Sequence, residues 1–187
     1  MNTELRAGTL LIRPFTAADI DAVYEAVRES ITELSSWLVW CHPDYSKEET
    51  TAFILSREAG WRNEEEFSFG VFDSATGAFL GGVGLNQINR TYQMANLGYW
   101  MRTSQAGRGA ASTAARRVAQ FGLEELGLQR IEIVVGIENR ASQRAAEKTG
   151  ARREGVLRKR LRTKGQPLDA VMYSLVAEDL GMVNGES

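Results

Sequence analysis

The chain has 187 residues, of which 43% are hydrophobic and 25% charged, and a formal net charge of −2, a balance typical of a soluble globular protein. The single cysteine excludes an internal disulfide and a cysteine-based metal site, and the single histidine excludes a metal site built from several histidines. No apolar run approaches the roughly 20 residues that span a membrane, and the N-terminal MNTELRAG lacks the apolar core of a signal peptide. We therefore expect a cytoplasmic protein.

The predicted elements follow one another in the order βααβββαβαββ. Alternating or β-branched apolar runs predict strands at 9–15, 67–73, 78–90, 94–101, 130–137, 151–161 and 167–176. Capped, periodic segments predict helices at 17–30, at 47–65, from a Gly-rich turn to Gly127, and at 139–150, while residues 31–46 are predicted to be irregular. Hairpins early and late, with helical crossovers between them, require a mixed sheet. The predicted fold class is therefore α/β (α+β), in a single domain over residues 1–187.

Capping signals mark the ends of the predicted helices. Thr16 lies three residues before Asp19 in a pattern that resembles a capping box, and Ser46 precedes the second helix. Asn139 stands at the start of the last helix and Gly150 at its end. The buried stripe of the first helix is predicted to be Ile20, Val23, Ala26 and Val27.

Charge is segregated along the chain. Residues 1–101 carry a net charge of −7 and residues 102–164 a net charge of +9. One interpretation is that solvated faces simply differ in sign; the other is a phosphate-bearing ligand on the middle third and a cationic ligand nearer the first half. The overall charge of −2 argues against a dedicated nucleic-acid binder.

The turn Gln105-Ala106-Gly107-Arg108-Gly109-Ala110-Ala111 joins a predicted strand to the alanine-rich helix. Small residues let the backbone approach an anion, and the free N–H groups of a helix's first turn can donate to it. The turn is neither a Walker loop, which needs Gly-Lys-Ser/Thr, nor a dinucleotide fingerprint, because Ser112 stands where the third glycine would fall. By itself such a turn is more often structural than functional.

Several motifs in the same order resemble the GNAT superfamily of N-acetyltransferases. They are ANLGYWM before the turn, the turn and its helix, RIEIVVGIENRAS and EKTGARREG. The opening TLLIRPFTAADIDAVYEAV, the SSWLVW segment and the closing LDAVMYSLVAEDL resemble the branch that contains the RimJ and RimL ribosomal-protein N-terminal acetyltransferases. The resemblance covers about residues 8–180. It implies a GNAT-type domain whose mixed sheet is splayed at the cofactor site and flanked by helices.

The resemblance implies a binding site for acetyl-CoA. In the family's pyrophosphate loop, Arg/Gln-x-x-Gly-x-Gly/Ala, the two small positions match Gly109 and Ala111, whereas Ala106 stands at the Arg/Gln position. The strand before the loop pairs with the pantetheine arm in the family, a role that falls here to Tyr99, Trp100 and Met101, although core packing also explains aromatic residues there. The cofactor-binding residues implied are Tyr99, Trp100, Met101, Arg102, Gln105, Gly107, Arg108, Gly109, Ala110, Ala111, Asn139, Ser142 and Arg144.

Asn139 and Ser142 match the family's Asn-x-x-Ser at the next strand-to-helix junction. There the Asn contacts the cofactor and the hydroxyl lies near its sulfur, where a proton donor helps the thiolate to leave. Many relatives carry a tyrosine four residues further on, which is Ala146 here, so Ser142 is the candidate catalytic residue. The structural alternative is that Asn139 caps the helix and Ser142 is an ordinary first-turn residue.

The general base of the family is absent from its usual position. Many members place a Glu two residues before Gly-Tyr, and here that residue is Asn96, which cannot act as a base. A lysine amine is only about 0.04% neutral at pH 7, whereas an α-amine is already roughly 10–15% neutral. The missing carboxylate therefore fits an α-amine or another weakly basic amine better than a lysine.

The aromatic-rich segment 31–46 is expected to border the acceptor. Trp37 and Trp40, with Asn96, are the predicted substrate-binding residues, and core packing is an equal alternative for the tryptophans. His42 as a base and Cys41 as a nucleophile are weaker candidates than ordinary loop residues.

The sequence thus predicts an N-acetyltransferase that uses acetyl-CoA and acts on a protein or peptide N-terminal α-amine. The alternatives are a small-molecule amine such as a polyamine, amino-acid derivative or antibiotic, a non-catalytic acyl-CoA sensor, and an RNA-associated module based on the +9 segment. No metal, membrane or nucleic-acid partner is expected, and a homodimer is allowed but not required.

Overall fold

A computed structural model describes residues 3–182, in which eight strands form one mixed sheet of order β1-β2-β3-β4-β5-β6-β8-β7. β5–β6 is the parallel pair, and the other neighbours are antiparallel. The strands are β1 (Leu5–Ala7), β2 (Leu10–Pro14), β3 (Phe67–Asp73), β4 (Phe79–Asn89), β5 (Met94–Met101), β6 (Arg130–Gly136), β7 (Arg152–Thr163) and β8 (Gln166–Leu175). The predicted mixed α/β sheet is confirmed.

Within residues 3–182, five α-helices connect or cover these strands: α1 (Ile20–Glu29), α2 (Ile31–Leu34), α3 (Lys47–Arg62), α4 (Ala110–Glu124) and α5 (Arg140–Lys148). α3 begins with a capping box in which Ser46 accepts the N–H of Glu49 and the Glu49 carboxylate accepts the N–H of Ser46. α4 forms the crossover between the parallel strands β5 and β6. None of the helices in the described range has the length and apolar character needed to cross a membrane.

The larger core lies between the sheet and α4. Successive side chains of a strand point to opposite faces, so Phe67, Phe69 and Val71 of β3 project to one side and are fully buried there. The rings of Phe67 and Phe69 contact the ring of Phe121 of α4, at centroid distances of 5.7 Å and 5.5 Å. A second cluster packs α1 and α3 on the opposite face, around Val27.

The structure adds a few local elements to the predicted order. β1 and the single turn of α2 were not predicted, because three- and four-residue elements carry too little periodicity to be recognised. In α1, Val23, Ala26 and Val27 are buried as expected, but Ile20 is only half-buried because it begins the helix at its edge.

Candidate functional site

The sheet opens between β5 and β6. The two strands pair only from Met94 to Asn96, where Asn96 is in register with Glu132. Beyond that point β5 continues to Met101 in pairing with β4, while β6 pairs with β8. The β6-facing backbone of residues 97–101 therefore has no strand partner, and its amide and carbonyl groups can pair with an extended ligand.

A Gly-rich turn follows the open half of β5. Gly107 and Gly109 have φ angles of +76° and +86°, which lie in the left-handed region that side chains disfavour. Nothing lies within 4 Å of the place where either Cβ would be, so space is open above the turn. α4 begins at Ala110, and within residues 3–182 no side chain caps its first turn. Its first N–H groups are therefore available to an anion at the positive end of the helix dipole.

The end of α1 holds the segment that enters this turn. Glu29 accepts hydrogen bonds from Arg102 Nε (2.9 Å) and from the N–H of Ser104 (2.8 Å), and Ser30 Oγ accepts the N–H of Thr103 (2.9 Å). The Arg102 guanidinium and then the Ser104 N–H lower the pKa of Glu29 to about 2. Arg102 was predicted to bind the cofactor, and its side chain here supports the loop. The role of Glu29 was not predicted, since no local motif links residues 73 positions apart.

On the other side of the opening, Asn139 and Ser142 begin α5. Asn139 Oδ1 accepts the N–H of Ser142 at 3.0 Å, so this side chain caps the helix. Tyr99 Oη from β5 donates to the Ser142 carbonyl (2.9 Å), and Ser142 Oγ donates to Tyr99 Oη (3.2 Å). Burial raises the pKa of Tyr99 to about 12, so the phenol stays protonated at neutral pH. The structure thus brings together two predicted site residues through a hydroxyl pair that was not itself predicted.

Asn96 lies on the other face of β5, opposite the face of Tyr99. Its Nδ2 donates to Asn86 Oδ1 of β4 at 2.9 Å. Along the same face the register pairs Gly98 with Gly84 and Trp100 with Gly82. Trp100 covers Gly82, because a Cβ there would lie 2.7 Å from Trp100 Nε1, whereas a Cβ on Gly98 would meet just Asn86 Nδ2, at 3.9 Å. Gly98 and the two neutral amides beside it are called the glycine floor.

Aromatic side chains border this floor. The ring of Trp40, which is 41% exposed, lies 6.0 Å from that of Trp100 and 5.8 Å from that of Tyr45. Trp37 lies elsewhere, with its ring 3.3 Å from the position of a Cβ on Gly136 of β6. Trp40 therefore borders the floor beside Trp100, whereas Trp37 lies against Gly136 of β6.

The remaining candidates have different surroundings. Arg108 and Arg144 are exposed, and Gln105 is half-buried. His42 Nε2 lies 2.8 Å from Glu49 Oε1. Cys41 is buried, and burial raises the pKa of its thiol, which does not suit a nucleophile. No group of three or more metal-ligating His, Cys, Asp or Glu side chains occurs within the described part of the chain.

Comparison with known proteins gives the family context of this site. Residues 9–152 match the family model described as the acetyltransferase (GNAT) domain. The Bacillus subtilis (strain 168) protein named "Probable N-acetyltransferase YjcK" is 29% identical over 179 residues, which are 94% of this chain and 98% of that protein.

Two solved structures are similar over nearly the whole chain. One is from Vibrio cholerae and is described as "a putative ribosomal-protein-serine acetyltransferase". It is 30% identical with a TM-score of 0.79, and the match covers 93% of this chain and 97% of that chain. The other is RimL, the ribosomal L7/L12 alpha-N-protein acetyltransferase, in complex with coenzyme A. It is 20% identical with a TM-score of 0.85, and covers 93% of this chain and 98% of its own.

Proposed function

This chain belongs to the acetyltransferase (GNAT) domain family and is an N-acetyltransferase, and from that premise we propose that it transfers the acetyl group of acetyl-CoA directly to the N-terminal α-amine of a protein or peptide. Its similarity to a ribosomal-protein acetyltransferase structure at 30% identity supports a polypeptide acceptor. The observation that carries the choice of amine is the neutral Asn96–Asn86 pair on the glycine floor.

The open half of β5 and the turn after it fit the shape and charge of acetyl-CoA. The unpaired backbone of residues 97–101 suits an arm that contains amides, and the uncapped first turn of α4 at Ala110 and Ala111 suits a diphosphate. Exposed Arg108 and Arg144 add positive charge near that end. When bound, acetyl-CoA supplies an acetyl group activated as a thioester.

Ser142 is proposed as the proton donor to the departing sulfur. Its Oγ proton is held by Tyr99 Oη at 3.2 Å, and a rotation about χ1 would redirect it without moving the helix. Burial raises the pKa of Tyr99 to about 12, so the phenol keeps its own proton at neutral pH. The proton that Ser142 gives to the sulfur is replaced by the one that the acceptor amine loses as it becomes an amide. Tyr99 therefore positions the Ser142 hydroxyl, and it also holds the Ser142 carbonyl.

The choice of acceptor amine follows from the side chains at the glycine floor. Asn96 and Asn86 can hydrogen-bond a peptide but cannot remove a proton. Glu132, which is in register with Asn96, has its carboxylate in an ion pair with Arg130 Nε at 2.9 Å. An acceptor that is partly neutral at pH 7 is therefore favoured, and an α-amine of pKa about 7.7–8.0 meets this condition.

A competition assay tests this proposal. Purified enzyme, acetyl-CoA and equimolar amines would be incubated together: a peptide with a free N-terminus, the same peptide N-terminally blocked with one lysine, spermidine and an aminoglycoside. We expect the free α-amine product to exceed each other product at least tenfold by mass spectrometry. Preference for lysine, spermidine or the aminoglycoside would refute the α-amine assignment, and coenzyme binding without any turnover would refute transfer itself.

Asn96→Glu sharpens the assay, with Asn96→Gln as the matched control. A carboxylate at this position should raise lysine turnover relative to α-amine turnover. The lysine amine is almost entirely protonated at pH 7 and gains more from a general base. The glutamine variant keeps the amide and should leave the ratio unchanged.

A further inference from the structure

The edge strand β7 carries a bulge in the half that leads to its turn with β8. The register between the two strands shifts between Leu157 and Leu161. Residues 158–160 of β7 therefore stand opposite the single residue Asp169 of β8, whose Oδ1 accepts the N–H of Lys159 at 2.8 Å. Bulges interrupt the pairing of a sheet, re-aim side chains and recur beside active sites.

The bulge displays three consecutive cations, Arg158, Lys159 and Arg160, all of them exposed. Within residues 3–182, none of the three takes part in an ion pair of the structure. Lys159 has a φ of +53°, a left-handed backbone that is uncommon for a residue with a side chain and that recurs at functional sites. The bulge thus holds three unpaired positive charges in a defined place.

The hairpin that carries the bulge contacts the segment beside the glycine floor. Thr163 Oγ1 donates to the carbonyl of Ser36 at 2.8 Å, and the ring of Trp37 follows directly and lies against Gly136 of β6. The same segment continues to Trp40, whose ring borders the floor. The hairpin therefore lies next to the region where the acceptor is proposed to bind.

The distance from the floor to the bulge suits a polypeptide acceptor. β6 and β8 lie between β5 and β7 in the sheet. Asn96 is in register with Glu132, and Gly136 with Ala170, so Asp169 lies about three residues further along the strands than the glycine of the floor. With strands about 4.8 Å apart and a rise of about 3.3 Å per residue, the bulge lies roughly 18 Å from that glycine. An extended acceptor would bring about its sixth residue to the bulge.

We propose that Arg158, Lys159 and Arg160 bind carboxylate side chains at about the fifth to eighth residues of the acceptor, an inference that rests on the proposed transfer to a polypeptide N-terminus. Guanidinium and ammonium groups form charge-assisted hydrogen bonds to carboxylates. The bulge thus makes the enzyme selective for acceptors that are acidic shortly after their first residue.

An acidic polypeptide suits this surface better than RNA does. Proteins that bind single-stranded nucleic acid combine positive charge with aromatic side chains on which the bases stack. Residues 152–169, which form the hairpin around the bulge, contain no Phe, Tyr or Trp. The cations therefore have the means to pair with charge but not to stack on bases.

A peptide assay tests the inference. Three peptides would share a free N-terminus and their first four residues, and would carry four glutamates, four glutamines or four lysines at positions five to eight. We expect the wild-type enzyme to acetylate the glutamate peptide with a kcat/KM at least about fivefold above that of the glutamine peptide, and the lysine peptide more slowly than either. The preference should shrink as salt is added, because the cations are exposed.

The triple variant Arg158→Gln/Lys159→Gln/Arg160→Gln should bring the glutamate and glutamine peptides to within twofold of each other. All three cations are changed together because a single exposed ion pair contributes little. Glutamine is compatible with the backbone at Lys159, since Gln87 and Gln93 also have positive φ angles.

The matched control is Arg62→Gln/Arg90→Gln/Arg153→Gln, which removes the same charge from three exposed arginines outside the bulge. It should keep the preference of the wild type. Asp169→Asn keeps a side-chain acceptor for the N–H of Lys159 and removes the negative charge beside the bulge, so it should raise the preference for the glutamate peptide about twofold. This variant keeps the inference testable should the triple variant not fold.

The outcomes separate this inference from the proposed function. Equal kcat/KM of the wild type for the glutamate and glutamine peptides, or an equal change in the triple variant and its control, would overturn the inference and leave acetyl transfer intact. Binding of a single-stranded RNA that the triple variant loses, without any preference among the peptides, would identify the bulge as an RNA contact instead. If no peptide were acetylated at its N-terminus, both proposals would fall.

Discussion

The two helices that begin beside the opening of the sheet start in different ways. α4 starts after Gly109, whose backbone is left-handed and which has no side chain to fill the first turn. α5 starts after Asn139, whose Oδ1 accepts the N–H of Ser142. Both helices carry the same partial positive charge at this end, but the Asn139 side chain takes up one of the α5 donors, whereas Gly109 has no side chain to do so in α4. Anion binding at a helix start therefore depends on what occupies the cap.

The difference assigns a separate task to each side of the opening. The α4 side offers open space and unpaired N–H groups, which suit a phosphate. The α5 side is filled by its own cap and by the Tyr99–Ser142 pair, which hold one hydroxyl in a defined place. The α4 side is suited to binding the phosphates and the α5 side to proton transfer. Variants at the start of each helix should therefore affect binding and catalysis separately.

The largest effect is expected from a substitution that fills the space at the start of α4. Gly109→Glu places a carboxylate where we propose a diphosphate, and acetyl-CoA binding should weaken at least about 100-fold by calorimetry, because like charges repel in a confined site. The left-handed backbone also costs about 1 kcal/mol of stability for a residue with a side chain.

Gly77→Glu is the matched control for this substitution. Gly77 has φ +72° and open space around it, in the turn between β3 and β4. It should suffer a similar loss of stability without any loss of binding. Unchanged acetyl-CoA binding in Gly109→Glu would show that the start of α4 is not the anion site.

The next effect concerns the hydroxyl on the α5 side. Ser142→Ala removes the proposed donor, and kcat should fall about 100-fold, the lower end of what is typical of general acid catalysis, with the Kd of acetyl-CoA within twofold. Tyr99→Phe should lower kcat less, because it removes only the group that positions the hydroxyl. A raised KM at unchanged kcat for Ser142→Ala would instead identify a binding residue.

A smaller effect should separate capping from cofactor contact at Asn139. The cap uses Oδ1 and leaves the Nδ2 donor for a ligand. Asn139→Ala should lose about 1 kcal/mol of stability, or roughly 2–4 °C in Tm, together with several-fold affinity for acetyl-CoA. Asn139→Asp keeps the cap and should lose affinity alone. If Asn139→Asp bound like the wild type, the side chain would serve the helix only.

The smallest effect is expected from Glu29, whose carboxylate accepts hydrogen bonds from Arg102 and Ser104 before the Gly-rich turn. Glu29→Gln weakens the contacts to Arg102 and Ser104, and acetyl-CoA should bind about two- to fivefold more weakly, while Glu25→Gln on the exposed side of α1 should not change binding. Because the pKa of Glu29 is lowered to about 2, its stabilising contribution is present above the unfolded pKa of about 4.3 and is lost as the pH falls through 2. The Tm difference between wild type and Glu29→Gln should therefore shrink over that acid range; a difference constant from pH 6 to 2 would contradict this role.

Much of the local structure follows from the sequence, because strands and helices depend on neighbouring residues. The alternation of Phe67, Phe69 and Val71 predicts β3 with its observed bounds, and MANLGYWM predicts β5 with its observed bounds. The capping pattern at Ser46 locates the start of α3. The glycines at 107 and 109 predict a strand-to-helix turn, and its place before an alanine-rich helix predicts free N–H groups that can donate to an anion. Their left-handed backbone is a finding of the structure.

Other features depend on residues that are distant in the chain. The position of β8 between β6 and β7 and the point at which β5 and β6 part depend on long-range pairing. The contacts of Arg102 with Glu29 and of Tyr99 with Ser142 join residues 73 and 43 positions apart. By itself the sequence determined the longer strands and helices, their caps and the phosphate-type turn, since these are local. Only the tertiary structure decided which charges are paired and which hydroxyl is held, because those depend on groups that meet after folding.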